Sequence, residues 1–445
     1  MSHTVEWNSK EVVTVTEPGG FNFDELRKLL EQLGISDKGD GPDFESLLKR
    51  MQSLGEHGLF PGMPKQDADA SWRTTISAAK TATTDGYADP EISAVEEAQV
   101  SEAERLVQSW LDEFTSFASP GLPARALTRT GWLEDTGVGW RAIVEPIIAG
   151  HGAALGRNAL GDDDEFNIGA LVAPLINQSA TLLYRNRLKR ELAKVARDTL
   201  TGTEIGFRLS ASARTVVLPA NVAAFTADLE ADRTDLLLVL VLRDAARQRL
   251  FHNVGWLAPQ LTALLTHYAR EIRIDVEAIA ERFSPESIES MSLDELAKVG
   301  DELEISFFRP ASTPEQLEVL DRLGLLLALV EGWVDHVTAR TMEKWMPHAP
   351  QLAEVLRRRR AAGSPVRDVL RVLIGLELPS SNMIAAERLW AVAEHELGAA
   401  GRDRVWSHPD LLPTAEHLED PHSFTRPDTP QEDDLDAELR KLLGN

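Results

Sequence analysis

The stretch Leu236–Trp256 constrains the fold more than any other, because it combines a long apolar run with charges in its middle. Seven consecutive aliphatic residues, Leu236–Leu242, lead directly into Arg243, Asp244 and Arg247. A helix this apolar belongs at the centre of a core, and an unpaired charge buried there costs several kcal/mol. Arg243 and Arg247 are four positions apart and therefore share a helical face. The sequence predicts a buried central helix with acidic residues opposite that face.

The best candidate for the acidic partner lies in a second apolar stretch, Leu323–Val337. This stretch contains Glu331 and Asp335, which are also four positions apart and so lie on one helical face. The planar guanidinium of arginine fits a carboxylate through two parallel hydrogen bonds. We therefore predict that Arg247, together with Arg243, pairs with Glu331 and Asp335.

This pair of helices has the layout of a gluzincin. In gluzincins H-E-x-x-H supplies two zinc ligands and the general base, and E-x-x-x-D on a later helix supplies the third ligand and an acid behind it. Five blocks of sequence carry a wider resemblance, in this order: SEAERLVQSWLDEFT with RTGWLEDTGVGWRAIVEP, LPANVAAF, LVLRDAARQRLFHNVGWLAPQL, LLALVEGWVDHV and VWSHPDLLPTAEHLEDP. Over about residues 95–425 the chain resembles a bacterial, mainly actinobacterial, family of zincin-like proteins labelled zinc-dependent metalloproteases.

The resemblance implies a fold, and a role for each matching position. Intact members of the family read H-E-x-x-H where this chain reads Arg243-Asp244-Ala-Ala-Arg247. Arg243 and Arg247 thus stand at the two histidine-ligand positions and Asp244 at the general-base position, with Glu331 as the third ligand and Asp335 as the acid behind it. Arginine stays protonated and cannot ligate a metal, and aspartate is one methylene shorter than glutamate. This divergent member is expected to have a degenerate motif and to need no cofactor.

Three functions remain open on this basis. The first is a pseudo-enzyme, a zincin-like scaffold that acts by binding a protein or peptide partner. The alternative is an active hydrolase, with zinc held by the non-standard ligands His252, His336 and Glu331, or without metal through Asp244 and Glu331. A zinc site of this kind needs a kinked helix, because His252 follows Arg247 by five residues and is displaced by about 140° around the helix. The third is an adaptor whose function lies outside the zincin-like body.

Composition excludes several other classes. The formal net charge of −25 argues against nucleic-acid binding, which needs a basic face. The chain has no cysteine, which excludes disulfides and thiol chemistry. The longest aliphatic run is too short for membrane insertion, and the N-terminus lacks the apolar core of a signal peptide. We therefore expect a cytoplasmic location, and the oligomeric state is left open.

The predicted fold is mainly α, a gluzincin-type helical body with a small β-sheet before the central helix. The strand signal is the alternation IGFRLSASARTVVLP within Thr201–Leu218. Composition, together with the extent of the resemblance, divides the chain into three parts. They are a partly flexible, helical N-terminal region (1–93) with short helices between residues 21 and 54, the zincin-like body (94–425) implied by the resemblance, and an acidic flexible tail (426–445).

Overall fold

The computed structural model describes residues 68–158, 184–273 and 313–426, apart from residues 205, 228, 230, 231, 362 and 364. The helices predicted between residues 21 and 54, and all but the first residue of the predicted acidic tail, lie outside these ranges. The described helices are α1 (Ala68–Thr84), α2 (Ala94–Leu111), α3 (Arg129–Asn158), α4 (184–198), α5 (Pro219–Thr226), α6 (Arg233–Asn253), α7 (Leu257–Arg270), α8 (Pro314–Trp345), α9 (Ala349–Ala361), α10 (Pro365–Ile374), α11 (Ser380–Arg404), α12 (Ala415–Glu419) and α13 (Pro421–Thr425).

The central helix predicted from Leu236 is α6, and it begins three residues earlier than expected. Asp232 caps it, because its Oδ1 accepts hydrogen bonds from the backbone N–H groups of Thr234 (2.8 Å) and Asp235 (3.1 Å). The helix is buried along most of its length, from Leu236 to Phe251. It packs against α2 on one side and α8 on another. The apolar run therefore lies in the core, as its composition requires.

Helix α8 carries the second apolar stretch and is a main contact surface of the body. Thr313 and Gln316 cap its start reciprocally through side-chain and backbone hydrogen bonds. The helix packs most extensively against α11 and also against α6 and α7. Gly332 permits the close approach to α11, since a Cβ atom there would lie 2.5 Å from Cβ of Ala386. The Trp390 indole N–H donates to the carbonyl of Leu329 at 2.8 Å and fixes this contact.

A small sheet precedes the central helix, which confirms that part of the predicted fold. Strand β1 (Arg125–Ala126) pairs in parallel with β2 (Val216–Val217), in the register Arg125–Val216 and Ala126–Val217. On the other side of β2, Thr201 forms an isolated antiparallel bridge with Val217. The described part of the chain is thus mainly helical with one two-stranded sheet.

The strand signal in Thr201–Leu218 overstates the length of the strand. Only Val216–Val217 is a strand, and most of the remaining stretch is irregular. The alternation is nevertheless real, because Phe207 and Leu209 are buried and Arg208 between them is exposed. Instead of pairing with a strand, this loop rests on α3, where the Gly139 N–H donates to the carbonyl of Leu209 at 3.0 Å.

Helix α1 lies before residue 94 and packs against α3, with Trp72 and Ile76 in the common core. None of the described helices is both long and apolar enough to cross a membrane.

Candidate functional site

The site is built where α6 and α8 face each other. Helix α6 contributes Arg243, Asp244 and Arg247, and α8 contributes Glu331 and Asp335. Glu331 and Asp335 are buried, at 4% and 5% exposure. The four-residue spacing on each helix brings two cations to two carboxylates in the core, so the structure places together the four residues that the sequence pairs.

Arg247 forms a two-point ion pair with Glu331. Its Nε donates to Glu331 Oε1 and its Nη2 to Glu331 Oε2, both at 2.8 Å. Its Nη1 donates to the backbone carbonyl of Thr203 at 2.7 Å. Burial alone lowers the pKa of Arg247, but the charges of Glu331 and Asp244 outweigh burial and the net shift is upward. The guanidinium is therefore a permanent cation, held by hydrogen bonds from all three of its nitrogens.

Arg243 joins the two acids of α8. Its Nη1 donates to Asp335 Oδ1, and its Nη2 lies 3.6 Å from Glu331 Oε2. The Arg243 side chain is 14% exposed, compared with 2% for Arg247. Arg243 is thus the more exposed member of the pair, and Arg247 is almost fully buried.

Asp244 lies between Arg247 and β2. Its side chain is fully buried, its Oδ2 accepts from the Val216 N–H at 3.0 Å, and its Oδ1 lies 3.7 Å from Arg247 Nη1. Burial raises the pKa of Asp244 to about 7, against the opposing influence of Arg247 and of the backbone amides of Val216 and Thr203. The carboxyl group at the general-base position thus supports the backbone of β2.

Two clefts meet at Arg243. The first, about 670 Å³ with its open mouth included, is lined by Arg243, Arg247 and Glu331 together with Arg359. The second, about 1050 Å³ on the same measure, is lined by Arg243 and Asp335 and by apolar side chains of α8 and α9. Leu356 of α9 also lines both clefts. The arginine–carboxylate cluster therefore borders space that a ligand could enter from either side.

The histidines proposed as alternative ligands lie elsewhere. His336 is buried on α8, with its Nε2 2.6 Å from Glu394 Oε2. Arg402 also donates to Glu394; burial works against the charged carboxylate, but His336 and Arg402 outweigh it and lower the pKa of Glu394 to about 2. His252 is exposed on α6. Within the described ranges, no three His, Asp or Glu side chains are grouped so that they could hold a metal ion.

Two parts of this region have no signal in the sequence. The Thr203 carbonyl that accepts from Arg247 is a backbone group, so no residue type marks it. The cluster behind α8 joins distant positions: Asp403 Oδ1 accepts from the Trp333 indole N–H at 3.0 Å, and Asp403 Oδ2 accepts from the Thr115 hydroxyl at 2.7 Å. A single sequence does not indicate partners so far apart in the chain.

The chemistry of the cluster does not fit a zinc ion. Zinc in proteins is held by neutral imidazole, thiolate or carboxylate. Here the groups that face Glu331 are two guanidiniums, which have no lone pair to offer. The two guanidiniums supply positive charge at the place where a bound metal ion would otherwise supply it.

Comparison with known proteins agrees with this architecture. The model of the zincin-like metallopeptidase family matches residues 70–425. A crystal structure from Chloroflexus aurantiacus, described as that of a candidate hydrolase with a novel fold, has a TM-score of 0.56 and 18% sequence identity, and the match covers 80% of this chain and 97% of that chain. At this identity the likeness concerns the fold alone. No curated protein matches the sequence. Because the family match spans most of the chain, the protein belongs to the zincin-like metallopeptidase family.

Proposed function

We propose that this protein is a zincin-like pseudo-enzyme, which has lost zinc binding and acts by binding a protein or peptide partner. The observation that carries the proposal is the two-point ion pair between Arg247 and Glu331, both hydrogen bonds being 2.8 Å long. Glu331 stands at the position of the third zinc ligand, and both of its carboxylate oxygens accept hydrogen bonds from the guanidinium of Arg247. In this reading Arg243-Asp244-Ala-Ala-Arg247 is a degenerate H-E-x-x-H motif.

The position of Asp244 also argues against hydrolysis. A general base must reach the water that it activates, and without a metal the pKa of that water stays near its bulk value, far above the value of about 7 for zinc-bound water. Asp244 is fully buried and lines neither cleft beside Arg243. A metal-free reaction through Asp244 and Glu331 would therefore need a water molecule to reach a carboxyl group that β2 covers.

The second cleft supports a binding role. It is lined by the apolar side chains of Met342, Met346 and Leu356 and by charged side chains that include Arg243, Asp335 and Arg357. Flexible methionine side chains adapt to varied apolar surfaces, and a few polar groups in an apolar cleft fix the orientation of a ligand. A peptide with an apolar side chain suits this lining. The cytoplasmic location predicted from the sequence remains part of the proposal.

Elemental analysis of full-length protein, purified without an affinity tag or chelator, tests the loss of zinc. We expect no stoichiometric zinc in the wild type. The matched variant is Arg243→His/Asp244→Glu/Arg247→His, which restores H-E-x-x-H opposite Glu331 and should bind about one zinc per chain. About one zinc in the wild-type protein, lost on Glu331→Gln, would contradict the proposal and support the alternative, an active zinc-dependent hydrolase with non-standard ligands.

A peptidase assay on the same proteins tests the loss of activity separately. We expect no turnover of casein or of a mixed peptide library by the wild-type protein, with or without added zinc. Turnover that Asp244→Asn abolishes would instead support a metal-free acid pair.

A further inference from the structure

A second surface of the body differs from the arginine–carboxylate site in its charge. A groove of about 1290 Å³, counting its open side, runs between α3, α7 and residues 208–211. We call it the basic groove, and define it by Arg208, His267 and Arg270 together with Val138, Ala142 and Thr262. It shares no lining residue with the two clefts beside Arg243.

Two arginines of the basic groove, Arg208 and Arg270, form no ion pair with an acid in the described part of the chain. Arg208, His267 and Arg270 are exposed. Arg208 donates only to backbone carbonyls, from Nε to Ser210 at 3.3 Å and from Nη2 to Ala211. In the described part of the chain no carboxylate forms an ion pair with any of the three, and no Asp or Glu lines the groove.

Glu271 and Asp135 lie close to the groove but do not line it. Glu271, next to Arg270 in the chain, lies 3.4 Å from Arg273, and Asp135 accepts from the Ser210 hydroxyl. The lining of the groove therefore carries the positive charge of Arg208 and Arg270 and no carboxylate. In a chain with a formal net charge of −25, most of the surface repels an anionic partner and this groove attracts one.

The shape of the groove suits an extended chain. Ala142 and Ala263 contribute only methyl groups to its lining, so a peptide backbone can approach closely. Thr262 and Thr266 donate their hydroxyl protons to carbonyls of their own helix, which leaves oxygen lone pairs to accept from peptide N–H groups. His267 and Arg270 are three positions apart on α7 and therefore share a face.

The loop that carries Arg208 is held against α3 by backbone contacts. The Gly139 N–H donates to the Leu209 carbonyl, and a Cβ atom at Gly139 would lie only 2.2 Å from that oxygen. Glycine is thus needed for the loop to sit this close to α3, and the loop carries Arg208 to the rim of the groove. Arg208 on this loop and Arg270 on α7 both line the groove.

We propose that the basic groove binds an extended acidic segment of a partner protein. Carboxylates of the segment pair with Arg208 and Arg270 on opposite sides, and its backbone lies along the α7 face between them. This site is independent of the proposed loss of zinc, because it uses none of the residues around Arg243.

Fluorescence anisotropy with full-length protein tests the proposal. The probe is a fluorescein-labelled (Asp-Ala)₅ peptide, and its matched control is (Asn-Ala)₅. We expect the acidic peptide alone to bind, with about tenfold weaker affinity when salt rises from about 50 to about 200 mM. Arg208→Glu/Arg270→Glu should abolish binding with unchanged circular dichroism. Arg73→Glu/Arg105→Glu, which alters two exposed arginines outside the groove by the same charge, should preserve it.

Several outcomes would overturn the proposal. They are no binding by the wild-type protein, equal loss of binding in the two double variants, or tighter binding of a ten-nucleotide oligothymidylate than of the acidic peptide. A further full-length variant replaces the six acids of residues 427–445 by their amides: D428N, E432Q, D433N, D434N, D436N and E438Q. If this variant binds the acidic peptide and the wild-type protein does not, the acidic segment of the same chain occupies the groove and a partner protein is excluded.

Discussion

Arg247 holds Glu331 through two hydrogen bonds of 2.8 Å in the core between α6 and α8. Both side chains are almost fully buried, at 2% and 4% exposure, so little water can take the place of either partner. A buried ion pair of this kind does not add much net stability compared with apolar residues, but removing one partner leaves an uncompensated charge. This asymmetry makes the pair accessible to mutational tests.

Glu331→Ala should lower the free energy of unfolding by about 3–5 kcal/mol, because Arg247 loses its bidentate partner while it remains buried. The control is Arg247→Met/Glu331→Leu, which removes both charges and should be clearly less destabilising than the single change. Urea denaturation of the three proteins measures both effects. A Glu331→Ala variant as stable as the wild type would refute the energetic importance of the pair.

The two arginines should differ in the same assay. Arg247→Ala removes three hydrogen-bonding nitrogens from an almost fully buried site and should cost about 3–5 kcal/mol. Arg243→Ala should cost less, about 1–3 kcal/mol, since Asp335 lines the second cleft and water there can reach its carboxylate. Arg357→Ala removes an exposed pair with Glu354 and should stay within about 0.5 kcal/mol of the wild type. Equal losses for Arg243→Ala and Arg247→Ala would contradict the assigned difference in burial.

The pairing of α6 with α8 was predictable because both stretches are too apolar to be anything but core, and each carries charges four residues apart. The individual contacts were not predictable. The sequence does not indicate that Arg247 pairs with Glu331 and Arg243 with Asp335. The angle at which the two helices cross decides which rows of side chains meet. The sequence also did not reveal β1, because a two-residue strand, Arg125–Ala126, is too short to show an alternating pattern. His336 contacts Glu394, a partner on another helix that no local spacing indicates.

Stability should depend on pH through Asp244. Burial raises the pKa of this carboxyl group to about 7, above the value of about 3.9 for an exposed aspartate. Between these two pH values the folded state binds more protons than the unfolded state, so Asp244 lowers the free energy of unfolding as pH rises from about 4 to about 7. The total effect is roughly 4 kcal/mol at most.

Asp244→Asn isolates this contribution, because asparagine keeps a carbonyl oxygen for the Val216 N–H but does not ionise. Near pH 4 the variant and the wild type should have similar free energies of unfolding. At pH 8 the variant should be the more stable of the two, with the difference growing through the interval between. Urea denaturation at a series of pH values measures the difference, and other titrating groups cancel in the comparison. A difference that does not vary with pH would show that Asp244 is charged throughout the range.

The contact between α8 and α11 positions Glu331, and one glycine on α8 tests it. Gly332→Ala would place Cβ 2.5 Å from Cβ of Ala386 and 2.7 Å from the Ala386 carbonyl carbon. Backbone cannot yield as a side chain can, so α8 must move and we expect a loss of about 1–3 kcal/mol. The matched control on the same helix is Gly324→Ala, where only Leu376 Cδ1 lies nearby, at 3.9 Å. Since alanine has the higher helix propensity, this control should be neutral or stabilising by up to about 1 kcal/mol. Thermal and urea unfolding of the two variants decides the matter, and equal stability of both would mean that the two helices are not as close at Gly332 as the structure places them.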